Sequence, residues 1–160
     1  MAVSDDHALV TQVTWQPRNS WRAVRLLHRV AHHTLLAEGF THGRLSIAVV
    51  GARAMATLHQ RFLDQPGPTD VLTFDLGTTP DAGYVEGEVV VCTDVARQRA
   101  ARRSGSLQAA RAELALYVVH GILHLSGYDD RNPADARRMH QREDEILVEI
   151  GLGRVYRAGV

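Results

Sequence analysis

At 160 residues, with a formal net charge of zero, a pI near 7.1 and 45% hydrophobic side chains, the chain has the size and balance of one ordinary soluble globular domain. Its single cysteine, Cys92, excludes a disulfide framework and a cysteine-built zinc site and fits a reducing compartment, while the neutral pI argues against indiscriminate nucleic-acid binding. Asp5 and Asp6 stand where a secretory signal would carry basic charge, and no apolar run approaches membrane-spanning length, so a cytoplasmic location without membrane attachment is expected.

Taken in order, Val10 to Trp15 alternates as a strand and is stopped by Pro17. Ser20 is placed to cap a helix that carries Trp21, Val24, Leu27, Val30 and Ala31 at helical spacing and ends near Gly39. Leu45 to Val50 predicts a second strand and Ala52 to Phe62 a short helix. The cluster Gln65-Pro66-Gly67-Pro68 is a loop, followed by a strand over Thr69 to Phe74. After a turn-rich stretch from Gly77 to Gly83, Glu88 to Cys92 predicts a buried strand, with Cys92 as core packing. Thr93 is expected to cap a helix that runs to about Arg103 and closes at Gly105. Ser106 caps the next, whose Leu107, Ala110, Leu114, Val118, Ile122 and Leu125 form an apolar stripe. Asn132-Pro133 opens a last helix, with cap and first-turn proline in order and Met139, Ile146, Leu147 and Ile150 as its core face. The sum is one α+β domain of about four strands and five helices, with no repeat or linker.

All eighteen basic residues are arginine. Arg97, Arg99, Arg102, Arg103 and Arg111 crowd one segment, with Glu113 as the nearby acid, and this pattern suits a solvated helix face as well as a phosphate-binding patch.

The stretch His120-Gly121-Ile122-Leu123-His124-Leu125-Ser126-Gly127-Tyr128-Asp129-Asp130 carries the chemistry. Four residues apart on a helix, His120 and His124 share a face and can share one divalent metal ion. Gly127 can take the left-handed conformation that ends a helix, so the chain turns back. In the metzincin pattern a third ligand, a histidine, follows three residues after that glycine; here the position holds Asp130. Two imidazoles and a carboxylate leave the fourth place of a tetrahedral zinc open, as catalytic sites require. A zincin protease carries a glutamate general base directly after the first histidine, whereas this chain has Gly121. His28 and His32 form another pair of the same spacing, but no turn glycine and later ligand follow, and they are assigned to helix surface or packing.

From about Leu58 to Ile150 these residues resemble the YbeY family of bacterial metal-dependent endoribonucleases. The stretch His120 to Asp130 is similar to the family's His-Gly-x-Leu-His-Leu-x-Gly-Tyr-Asp-His. Pro68 to Phe74 resembles its Pro-Thr-Asp-Val-Leu-Ser-Phe strand, Gly87 to Val90 its Gly-Asp-Ile-x-Ile strand, and Met139, Glu143 and Glu145 are similarly spaced in the final helix. The resemblance implies a single zincin-like domain over residues 1–160, a mixed sheet flanked by helices. It also implies one Zn²⁺ per chain and hydrolysis of single-stranded RNA in late 16S ribosomal RNA 3′-end maturation and ribosome quality control. The implied partners are ribosomal RNA and small-subunit ribosomal proteins, with no DNA.

Two departures from the family pattern bear on the site. Asp130 replaces the third zinc-binding histidine, which lowers the site's charge by one. The family's catalytic arginine falls at Leu63, and Arg61, two residues away, is the candidate to supply the guanidinium. The expected site is therefore His120, His124 and Asp130 for the metal, with Arg61 for catalysis. A zinc metalloprotease and a non-catalytic zinc-stabilised module that binds RNA or ribosomal proteins are the rival readings.

Overall fold

The computed structural model describes residues 8–19 and 21–155. Four strands, β1 (Leu9–Trp15), β2 (His42–Val50), β3 (Val71–Asp75) and β4 (Tyr84–Cys92), form one sheet in the order β1-β2-β4-β3. β1, β2 and β4 run parallel, and β3 closes the edge antiparallel to β4. Five α-helices accompany the sheet, α1 (Val24–Ala37), α2 (Ala52–Leu63), α3 (Thr93–Ala101), α4 (Leu107–Leu125) and α5 (Pro133–Ile150), with one 3-10 turn over Pro80–Ala82. This is the α+β architecture with a mixed sheet that the sequence predicts.

Strand parity separates two cores, because successive side chains point to opposite faces. Leu45, Ile47 and Val49 of β2 and Val85, Val89 and Val91 of β4 face Leu27 and Val30 of α1 and Leu114, Val118 and Ile122 of α4. The other face carries Val50, Leu72, Val90 and Cys92, covered by Met55 of α2 and Val95 of α3. Burial pushes the Cys92 thiol pKa up, in keeping with a packing role. α4 is buried nearly all round, not along one stripe: Ala115, Leu116, Tyr117, Val119 and Leu123 are buried too, while Leu107 at its start is exposed. The helix lies under the sheet, with α1, α3 and α5 on its other sides.

Helix starts with a local cap fall where expected. The Ser106 hydroxyl accepts from Ala109 N–H at 3.0 Å, and the Asn132 side chain from Asp135 N–H at 2.9 Å. Elsewhere tertiary pairing moves the ends. α1 begins only at Val24, with Ala23 at the cap position and Trp21 buried ahead of it; the Ser20 cap lies outside the described residues. Thr93 is the first helical residue of α3, not its cap, and its hydroxyl donates to the Val50 carbonyl at 3.3 Å. β4 starts four residues earlier than expected and β2 three earlier, because their nine-residue parallel pairing continues past the apolar run. β3 starts at Val71, two residues later than expected, and the Asp70 carboxylate just before it accepts the Val71 N–H at 2.8 Å. Among the described residues no helix is long and apolar enough to cross a membrane.

Candidate metal centre

α4 brings His120 and His124 to its last turn, and the chain then reverses. Gly127 sits at φ +106°, with its N–H on the His124 carbonyl at 3.1 Å and the Tyr128 N–H on the Leu123 carbonyl at 3.0 Å. This paired closure satisfies the last carbonyls of the helix and needs the positive φ that glycine adopts without steric cost. The reversal lets the Tyr128 carbonyl accept from His124 Nδ1 at 3.1 Å and carries Asp130 back over the histidines.

The three side chains converge. His120 Nε2 and His124 Nε2 are 3.0 Å apart, and the Asp130 carboxylate oxygens lie 3.6 Å from the first and 3.8 Å from the second. Ligands about 2.0–2.1 Å from a tetrahedral zinc stand about 3.3 Å from one another, so these separations bracket the spacing such an ion imposes. Both Nδ1 atoms are engaged behind the ring, His120 with Glu143 Oε1 at 2.7 Å and His124 with the Tyr128 carbonyl, which directs both Nε2 lone pairs to the same point. The donor set, two imidazoles and one carboxylate, fits zinc or a similar divalent ion.

Glu143 of α5 is almost wholly buried and is shared by two imidazoles, His120 at 2.7 Å and His140 at 2.9 Å. Burial alone would lower the His120 pKa, but the hydrogen bond and charge of Glu143, with Asp130 behind them, raise it above its ordinary value. A field that favours an imidazolium also favours a bound cation. Asp129 does not join the cluster. Its Oδ1 accepts from Asp130 N–H at 2.8 Å and Arg131 N–H at 3.1 Å, and its Oδ2 from Arg131 Nε at 2.8 Å. Arg131 holds the Asp129 carboxyl below the usual carboxylate range, so this residue braces the turn.

His120 stands between two concavities. On one side a cleft is lined by Leu63, the edge strand β3, His124 and Leu125; on the other a groove holds Arg99, Arg102, Arg103, Tyr117 and Asp130. Leu63 is therefore at the cleft, whereas Arg61 does not line it: its guanidinium lies 5.5 Å over the Phe62 ring. His28 meets Thr11 Oγ1 at 3.3 Å and His32 is exposed, so the earlier pair builds no site.

Gly121 has a packing reason. A Cβ there would come within 2.8 Å of both Val89 methyls and 3.0 Å of Thr73 Oγ1, so its absence seats α4 directly on β4 and β3. The same contacts leave no room for a protease-type glutamate at this position. Sequence reasoning missed the part played by Glu143, although a signal was present: it lies on the face of α5 that carries Met139, Ile146 and Leu147, where a charge needs a partner.

Residues 11–151 match the family model "Endoribonuclease YbeY". The chain is 40% identical over 136 residues to the YbeY endoribonuclease of Anaeromyxobacter sp. (strain Fw109-5), covering 85% of this chain and 69% of the relative. It is 39% identical over 147 residues to that of Anaeromyxobacter dehalogenans (strain 2CP-C), covering 90% and 73%. The solution structure of TM1509 from Thermotoga maritima shares the fold with a TM-score of 0.59 at 23% identity, over 88% of this chain and 91% of that one. The match extends from the first strand to the end of the last helix, well beyond the histidine stretch, and the chain belongs to the YbeY family of endoribonucleases.

Proposed function

We propose that this protein is a zinc-dependent endoribonuclease acting on single-stranded RNA in late 16S ribosomal RNA 3′-end maturation and ribosome quality control, in the cytoplasm, with ribosomal RNA and small-subunit proteins as partners. The observation that carries the reading is the convergence of His120 Nε2, His124 Nε2 and an Asp130 oxygen between two open concavities, in a chain whose relatives are named endoribonucleases. His120 and His124 would hold the metal with their imidazoles, braced by Glu143 and the Tyr128 carbonyl, and Asp130 would add one negative oxygen. When bound, zinc supplies Lewis-acid polarisation of a phosphoryl oxygen and acidifies water. The half-buried rings leave the remaining side of the site open to a phosphodiester.

The test is cleavage of ribosomal RNA and of casein by zinc-loaded and chelated protein. RNA cleavage that disappears with the metal is expected, with casein untouched. Casein cleavage would favour the metalloprotease reading, and no cleavage of either would favour a zinc-stabilised binding module. A 2′,3′-cyclic phosphate at the new end would identify the RNA hydroxyl as nucleophile; a 3′-hydroxyl would identify water.

A further inference from the structure

Glu113, Tyr117, His120 and His124 recur at spacings of four, three and four, which places them in one row along α4. Cationic side chains sit along that row. Arg103 Nη2 reaches Glu113 Oε1 at 2.7 Å, and the Glu113 side chain is buried. The Arg99 guanidinium lies 5.6 Å over the buried Tyr117 ring, with its Nη1 2.7 Å from Asp70 Oδ2. Asp70 is itself fixed, since its Oδ1 takes the Val71 N–H and its carbonyl accepts the Cys92 N–H at 3.0 Å. Arg99 is thus gripped on one face and at one nitrogen, next to a residue one helical turn, about 4.5 Å of rise, before His120. Arg99, Arg103, His120 and Asp130 line the same groove.

A guanidinium offers five N–H donors in a planar fork that matches phosphate oxygens. Asp70 engages part of the Arg99 fork, and the groove is open to the rest. On the opposite side of the metal centre the cleft presents Leu63, while Arg61 rests on Phe62. We propose that a single RNA strand lies along this row of α4. In this arrangement Arg99 hydrogen-bonds the phosphodiester placed at His120, His124 and Asp130, and Arg103 meets a phosphate farther along the strand. The assignment rests on the metal-dependent ribonuclease reading. It gives the catalytic guanidinium to α3 and not to Arg61.

The experiment uses the zinc-loaded full chain and an end-labelled single-stranded RNA oligonucleotide, with kcat and KM measured separately over a range of salt. Arg99→Ala is expected to lower kcat by about 10²–10³-fold, the cost of one donor aimed at developing charge. Arg99→Lys should not recover it, because the fork is lost, and guanidinium ion added below denaturing concentrations should partly restore Arg99→Ala. Arg103→Ala should raise KM while preserving kcat, and reduce the slope of log affinity against log salt by about 0.7. Arg97→Ala, on the same helix but with its guanidinium 5.9 Å over Trp21, should change neither. An Arg99→Ala protein within threefold of the parent kcat, or a fully active Arg99→Lys, overturns the assignment and leaves Arg99–Asp70 as an ordinary surface pair. If circular dichroism finds Arg99→Ala unfolded, Arg99→Lys and Arg99→Gln, which keep an aliphatic stem at this position, decide between these outcomes. A parent that cleaves no RNA at all would remove the ribonuclease reading itself, a result distinct from failure of Arg99.

Discussion

Glu143 Oε1 lies 2.7 Å behind His120 Nδ1, so a residue of the last helix sets the direction in which an imidazole of the preceding helix presents its Nε2. The buried carboxylate both fixes the tautomer and adds negative charge one ring away from the metal position. Glu143→Gln keeps the shape and removes the charge. It should weaken zinc affinity about 10–100-fold with little change in the circular dichroism spectrum. Chelator competition measures this, and unchanged affinity would reduce Glu143 to a packing residue.

The two adjacent aspartates separate cleanly. Asp130 faces both imidazoles, while both Asp129 oxygens are taken by the turn and by Arg131. Asp130→Ala should therefore lose most of the metal, Asp129→Ala much less, and Asp130→His should keep it. Metal analysis of the three purified variants decides. Retention by Asp130→Ala together with loss by Asp129→Ala would reverse the assignment.

Gly121→Ala tests whether the seat of α4 positions the histidines. The added methyl meets Val89 and Thr73 at distances that neighbours must yield to accommodate. A cost of about 1–3 kcal/mol is expected from such overpacking. Cleavage should fall further than zinc content, because the helix is displaced with both ligands on it. Denaturant melts and metal analysis on one preparation would show this; a protein as stable and active as the parent would mean the contact relaxes freely.

Removing zinc should abolish RNA cleavage and leave the fold. Both cores are built without His120, His124 or Asp130, and the side chains buried in them each contribute about 1.5–3 kcal/mol. Circular dichroism before and after chelation should overlay. The melting temperature should fall by several degrees, since a ligand at a hundred times its Kd contributes about 2.7 kcal/mol. Collapse of the helical signal would make the metal a structural element.

How much was legible depended on how local the cause was. The starts of α4 and α5 could be located because Ser106 and Asn132 act on residues three positions away. The convergence of His120, His124 and Asp130 was legible for the same reason: one helix end and one glycine turn place all three. The starts of β2 and β4 were not, since strand ends are set by the neighbour each strand pairs with. Nor were Asp70 with Arg99, or Glu143 with His120, pairs that only the packing of separate elements brings into contact. Leu63 and Arg61 illustrate the limit. Their spacing from Pro68 suggested a substitution of one arginine for another, but in the fold Leu63 meets the cleft and Arg61 covers Phe62.

Because the glycine turn at Gly127 leads the chain from α4 towards α5, among the described residues the three groups that converge on the candidate metal position, and the two that hold their imidazoles from behind, come from residues 120–143, one helical hairpin. Occupancy would then act chiefly on the opening of that hairpin, leaving exchange through the β1-β2 side of the sheet governed by global unfolding. Amide hydrogens near the start of α5 should exchange more slowly as zinc is added, while those of β1 barely respond. The hairpin would behave as a separately latched unit, stiffened by its ion and loosened without it.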